Sequence, residues 1–198
     1  MRYFLITLLA VWVLGCIPDS DHPLTAPGKE PADPAILGTW FWKDKNETGY
    51  IHIGLDEKSR RLTLTMVDFD EDGAMETSVY SGHTSFLEEN KYLNLKWAHP
   101  PQDELTGYIF VKYAVGADAL GIALMDSEAV EKAIKDGALE GRLKKDKWFF
   151  SVHITEGQKK LQSFVRKHDK RLFPEMKYMK KLTLQNPLSM RTGRQPPG

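Results

Sequence analysis

Closely spaced segments in which apolar and polar residues alternate, between residues 36 and 125, constrain the fold of this chain more than any other feature. The clearest is 62–67, Leu-Thr-Leu-Thr-Met-Val, where every second side chain is apolar, as in a strand with one buried face. The Asp72-Gly73 pair is a strong signal for a hairpin turn. Strands are predicted at 36–42, 50–55, 62–67, 75–80 with a shorter 84–86, 92–97, 108–115 and 120–125. The series is typical of a meandering antiparallel sheet or barrel.

The periodicity becomes helical after residue 125. Asp126 is placed to cap a helix with an apolar face, and Gly137 is placed to end it. Two more strands are predicted at 139–143 and 148–154, around a turn at Lys145-Asp146.

A second helix is predicted after residue 155. Thr155 and Gln158 have the three-residue spacing of a capping box, and Pro174 ends the helix. A last strand is predicted at 177–184, and the polar residues 185–198 are predicted to be disordered.

The net charge of zero combines two oppositely charged parts. Residues 17–156 hold 15 Lys and Arg and 25 Asp and Glu, a net charge of 15 − 25 = −10. Residues 157–198 hold 11 and 2, a net charge of 11 − 2 = +9. The basic part either neutralises the acidic body or binds an acidic partner. No nucleic-acid-binding motif is present, so we predict no nucleic-acid partner.

The amino-terminal residues have the pattern of an export signal. Arg2 precedes an apolar stretch at 4–14, which is shorter than the roughly 20 residues of a membrane-spanning helix. Val-Leu-Gly-Cys at 13–16 then places the chain's only cysteine after a glycine. This pattern resembles the signal peptide and lipobox of bacterial lipoproteins. The resemblance implies a lipid thioether on Cys16 and an acylated amino terminus. Because Ile17 follows the cysteine, it also implies sorting to the outer membrane.

Four regions follow from these patterns. They are a signal peptide at 1–15, a lipidated Cys16 with a proline-rich linker at 16–35, a β domain at 36–184 and a tail at 185–198. A proline-rich linker of this length would reach roughly 60 Å when extended. No cysteine remains in the domain to form a disulfide, so its apolar core must hold it together.

Leu37-Gly38-Thr39-Trp40 carries the G-x-W element found near the first strand of lipocalins. The resemblance implies an eight-stranded barrel with Trp40 plugging one end. The helix predicted before the late strands departs from the family's order, so we expect a lipocalin-like barrel of about 8–10 strands with two short helices. Residues 124–143 and 161–173 also resemble segments of uncharacterised bacterial secreted proteins, a resemblance that implies no activity.

Candidate chemical sites are few. Residues 68–73 open like an EF-hand, but the twelfth position holds Val79 in place of the bidentate Glu, so a charged turn is expected. His52, His83, His99, His153 and His168 show no metal-binding helical spacing; His52 and His153 are both placed in strands. The sequence therefore predicts no metal, no cofactor and no catalytic site.

Aromatic residues are abundant and occur on both faces of some strands. Trp40-Phe41-Trp42 and Phe149-Phe150 fit either a core with helix cover or a ligand cavity. We predict a non-catalytic, lipid-anchored envelope protein that binds an apolar small molecule or an envelope component. The alternative is an interaction module whose basic carboxyl-terminal region docks an acidic partner.

Overall fold

A computed structural model describes residues 17–44, 48–100, 106–145 and 150–183 of the chain. These residues form eleven strands, two α-helices and one 3₁₀ turn at Pro34–Ile36. The strands are β1 (Asp19–Ser20), β2 (Gly38–Lys43), β3 (Thr48–Asp56), β4 (Arg61–Phe69), β5 (Met75–Leu87), β6 (Asn90–Trp97), β7 (Tyr108–Val115), β8 (Ala119–Leu124), β9 (Gly141–Lys145), β10 (Phe150–Ile154) and β11 (Lys177–Lys181). The helices are α1 (Ser127–Lys135) and α2 (Gln158–Leu172).

Eight of the strands close into an antiparallel barrel. Strands β2 to β8 pair with one another in chain order, and β11 completes the ring between β8 and β2. The predicted fold class, a mainly β lipocalin-like barrel with two helices, is therefore confirmed. Its closure leaves no exposed edge within the ring.

Strands β1, β10 and β9 extend the sheet outside the barrel. Along one edge of β7, residues 111–115 pair with β8, while 108–109 pair with β1. β1 then pairs in parallel with β10, which pairs with β9. Because β9 and β10 leave the ring and only β11 returns to it, a helix can precede late strands without interrupting the barrel.

Two clusters of buried apolar side chains lie on opposite sides of the barrel wall. The inner cluster occupies the barrel interior and includes Trp40 and Tyr113. The outer cluster lies between the wall and the helices and includes Phe110, Val130 and Leu161. Where strands carry apolar residues on both faces, one face thus packs in the filled barrel interior and the other packs under the helices. The predicted aromatic positions Trp148 and Phe149 lie outside the described residues.

Two strands predicted separately, at 75–80 and 84–86, form the single strand β5. Gly82 lies between them, opposite Leu95 of β6. A Cβ at Gly82 would lie 2.3 Å from the Asn94 carbonyl oxygen. Glycine is required there because the two backbones approach closely.

The two helices differ in how they begin. Asp126 caps α1 as predicted, because its Oδ1 accepts a hydrogen bond from the Ala129 amide at 2.7 Å. The capping box predicted for α2 is wrong: Gly157 is the N-cap residue and makes no side-chain cap bond. Gln158 instead donates its side-chain Nε2 to the Pro23 carbonyl at 2.9 Å.

The proline-rich segment packs on the domain, in contrast to the extended linker predicted for 16–35. Leu24 is fully buried in the outer cluster, and Ile36, just after the segment, is fully buried in the inner one. The Leu24 amide also donates a hydrogen bond of 2.7 Å to Asn94 Oδ1. Burial of these side chains favours the folded segment over an extended chain.

Candidate functional site

The 3₁₀ turn closes the end of the barrel at which β2 begins, here called the closed end. Ile36 is fully buried in the inner cluster. The Ile36 carbonyl oxygen accepts a hydrogen bond of 2.7 Å from Trp40 Nε1. Asp33 Oδ2 accepts bonds from Lys91 Nζ at 2.8 Å and from the Tyr113 hydroxyl at 3.3 Å. Burial opposes ionisation of Asp33, but these bonds, the Ala35 amide and the Lys91 charge lower its pKa below 3.8.

Aromatic and sulfur side chains lie at the opposite end, here called the aromatic end. On β2, β4, β5 and β6 the strand register places these side chains on the inner face there: Trp42, Met66, Asp68, Glu76, Ser78, Tyr80 and Trp97. The Tyr80 and Trp97 rings are tilted against each other, with centroids 4.4 Å apart. Tyr80 is buried and Glu76 is exposed, whereas the others are partly accessible.

At the aromatic end, Gly49 leaves room for the Trp42 indole to lie against the barrel wall. A Cβ on Gly49 would lie 2.2 Å from the ring of Trp42, its partner in the strand register. Burial raises the pKa of Tyr80 to about 12, so this phenol is neutral at physiological pH. The aromatic end therefore presents indole, phenol and thioether groups beside the carboxylates of Asp68 and Glu76, and its rings can contact an apolar group.

The inner cluster limits how far a ligand could enter the barrel from the aromatic end. Ile51, Leu64, Leu95 and Val111 are buried in the barrel below the aromatic end. An apolar ligand would thus contact the partly accessible rings near the rim.

A buried polar network holds the amino-terminal segment on the barrel. Asn94 Nδ2 donates to Ser85 Oγ at 2.6 Å, and Ser85 Oγ lies 2.6 Å from Thr25 Oγ1. His83 Nε2 lies 2.8 Å from the Thr25 carbonyl oxygen and must be the donor, because a carbonyl only accepts. Burial lowers the pKa of His83 below 6.5. The sequence offered no signal for this network, because its partners come from distant segments.

His153 binds the strand β1 to β10. Its Nδ1 lies 2.9 Å from Asp19 Oδ1 and its Nε2 lies 2.9 Å from Asp21 Oδ1. The other Asp19 oxygen, Oδ2, is buried without a hydrogen-bond partner among the described residues. That oxygen faces the Gly107 backbone, where a Cβ would lie 2.0 Å from it. These contacts have a structural role, because the unpaired Asp19 Oδ2 faces the Gly107 backbone.

A second buried carboxylate fixes α2 to the barrel. Asp169 accepts hydrogen bonds from the Tyr92 hydroxyl at 2.6 Å and from Lys112 Nζ. Burial and this carboxylate raise the pKa of Tyr92. The Asp169 carboxylate is thereby paired with the Lys112 ammonium inside the interface.

The structure separates the other predicted site residues. His52 Nδ1 lies 2.9 Å from Thr39 Oγ1, so His52 and His153 have different partners. Asp70 Oδ1 accepts from the Asp72 and Ala74 amides at 3.0 and 2.8 Å, which confirms the charged turn. Cys16 lies outside the described residues.

Within the described ranges, no group of three or more His, Cys, Asp or Glu side chains is placed to hold a metal ion. No helix in that part of the chain has the length and apolar character to cross a bilayer.

Comparison of the chain with protein-family models, with curated proteins and with solved structures gives no match.

Proposed function

We propose that this chain is a lipid-anchored, non-catalytic protein of the bacterial outer membrane that binds an apolar group of a small molecule or envelope component at its aromatic end. The difference between the two ends of the barrel carries the proposal. Ile36 and Trp40 fill the closed end, whereas the partly accessible Trp42, Met66 and Trp97 lie at the other.

The polar contacts support a non-catalytic role. His83 is bonded to a carbonyl inside the domain, and His153 is held between two carboxylates. The hydrogen bonds of both imidazoles thus attach the amino-terminal segment to the rest of the domain.

Quenching by dibromostearate, a fatty acid whose bromines quench tryptophan on contact, tests the ligand site. The chain begun at Ile17 with Trp148→Phe leaves Trp40, Trp42 and Trp97 as reporters. We expect saturable quenching that persists in Trp40→Phe, because that indole lies at the closed end. The double change Trp42→Phe with Trp97→Phe should remove it. Quenching that is lost in Trp40→Phe, or that survives the double change, contradicts the proposed site.

The lipid anchor is tested at Cys16. In a bacterial host, Cys16→Ala should leave the protein unprocessed or soluble, because the proposed lipidated residue is absent. The measurement is detergent-phase partitioning together with the mass of the mature protein. A variant that still fractionates as a mature, detergent-phase protein contradicts lipidation.

A second candidate function is docking of an acidic partner through the basic carboxyl-terminal region. The observation that favours it is the exposed face of α2, which carries several Lys and Arg side chains. An acidic surface would bind there through charge.

A further inference from the structure

The solvent face of α2 carries a concentrated positive charge. Five exposed cations on this helix have no ion-pair partner among the described residues: Lys159, Arg166, Lys167, Lys170 and Arg171. The one acidic residue of the helix, Asp169, is buried and bonded to Tyr92 and Lys112. It therefore offers little compensation to the outer face.

Helical geometry collects these charges into two adjacent rows. At 100° per residue, Lys159, Arg166 and Lys170 fall on one line, and Lys167 and Arg171 fall on the next. Leu161 and Val165 lie on the opposite, buried side. A helix of this length spans about 22 Å, so the face forms a long cationic stripe.

The chain's amino-terminal part brings this stripe close to the proposed lipid anchor. Asp19 is fixed in the sheet and lies three positions after Cys16 in the chain, a reach of roughly 10 Å. Pro23 accepts the bond from Gln158 at the start of α2 and is seven residues from Cys16, a path of at most about 25 Å. A lipid on Cys16 would hold the domain against the membrane.

We propose that the cationic face of α2 lies on the anionic headgroups of the membrane in which the protein is anchored. This inference rests on the proposed lipid anchor. Between the cations the exposed face carries Ser163, whereas protein interfaces are centred on apolar and aromatic side chains. A charged bilayer attracts basic residues without requiring shape complementarity. The membrane therefore fits this face better than an acidic protein does.

A label at the centre of the stripe tests the contact in the full lipidated protein. Since Cys16 is the only cysteine, Ser163→Cys supplies a single free thiol once the Cys16 sulfur carries the lipid thioether. A fluorophore there is measured in vesicles of phosphatidylcholine, with or without phosphatidylglycerol, that carry a headgroup spin label as quencher. We expect quenching that requires phosphatidylglycerol and weakens with salt, because the Debye length falls from about 10 Å at 0.1 M to about 3 Å at 1 M.

Two triple variants separate this face from general charge attraction. Lys159→Gln, Arg166→Gln and Lys170→Gln together should abolish the phosphatidylglycerol dependence, since each cation contributes roughly fivefold to binding. The matched control, Lys43→Gln, Lys58→Gln and Lys177→Gln, removes as many exposed positive charges outside the helix and should retain it. Equal loss in both triples, or quenching independent of phosphatidylglycerol, overturns the proposal and leaves an acidic protein as the candidate partner.

Thiol counting separates failure of the lipid anchor from failure of this surface. Two labelled thiols would show that the Cys16 sulfur carries no lipid thioether. Co-sedimentation of that unanchored protein with the same vesicles then becomes the measurement. Binding that requires phosphatidylglycerol and is lost only in the helix triple supports the cationic face. Equal sedimentation with both vesicle types overturns it.

Discussion

Trp40 is the most buried of the three tryptophans in the described chain, with 1% of its surface exposed. Its indole nitrogen is bonded to Ile36, and Lys181 Nζ lies 5.1 Å from its ring centroid. The residue therefore joins the closing turn, the first barrel strand and the last barrel strand.

Trp40→Ala should strongly destabilise the protein, because a large cavity would replace the indole and the Ile36 carbonyl would lose its donor. Such truncations typically cost about 3–5 kcal/mol, a large share of the free energy of unfolding of a domain. The measurement is the urea midpoint, with the partly accessible Trp42→Ala as a smaller-effect control. A midpoint within error of the unmodified protein would contradict the plugged end.

Gly107 makes room for a carboxylate, a role without a sequence signal. A Cβ there would lie 2.0 Å from Asp19 Oδ2 and 2.7 Å from its Cγ. Since His153 holds Asp19 in place, the side chain has little freedom to move.

Gly107→Ala should reduce the free energy of unfolding by about 1–3 kcal/mol through overpacking. In an Asp19→Ala background the same change should cost much less, because the two closest atoms, Oδ2 and Cγ, are absent. A double-mutant cycle from urea unfolding measures the coupling. Costs that add independently would show that the contact with Asp19 is not the cause.

Strand β11 is the element on which barrel closure depends. It pairs with β8 through residues 177–180 and with β2 through 180–181, although it follows both helices in the chain. Met179 also contributes a buried side chain to the inner cluster.

Truncation before Lys177 should abolish cooperative unfolding, because β2 and β8 would become unpaired edges and the inner cluster would lose Met179. Truncation after Leu184 should preserve it, because the β11 pairings remain and 185–198 are predicted to be disordered. Thermal unfolding followed by circular dichroism distinguishes the two. A cooperative transition in the shorter chain, or its loss in the longer one, would contradict this boundary.

The whole molecule is held together by contacts between its first described residues and much later segments. Leu24, Thr25 and Asp19 connect the amino-terminal segment to the barrel wall and to β10. Buried His83 contributes to this attachment and makes it sensitive to acid.

Acidification below about pH 6.5 should destabilise the fold through His83. Burial lowers its pKa in the folded protein, so the unfolded chain binds a proton more readily. The contribution is fully present above pH 6.5 and is lost as the pH falls toward the folded pKa. Asp33, with a pKa below 3.8, acts in a lower pH range. Urea midpoints at pH 7.5 and 5 should differ less in His83→Gln, which retains an amide donor for Thr25. An unchanged difference would rule out His83 as the source.

The sequence by itself determined the elements whose signals are local. Strand-type residue patterns located β2 to β8, with β5 predicted in two pieces, Asp126 marked the start of α1, and Asp72-Gly73 marked a hairpin. These signals suffice because a strand's exposed and buried faces, a cap and a turn depend on residues close together in the chain.

Only the tertiary structure decided which distant segments meet. Asp19 and His153 are 134 residues apart, and Tyr92 and Asp169 are 77 apart. The local pattern around 16–35 is rich in proline and suits an extended linker, yet Leu24 is buried. Burial of apolar side chains and pairing of buried polar groups outweigh local preference, and both depend on surfaces that exist only after the barrel has closed.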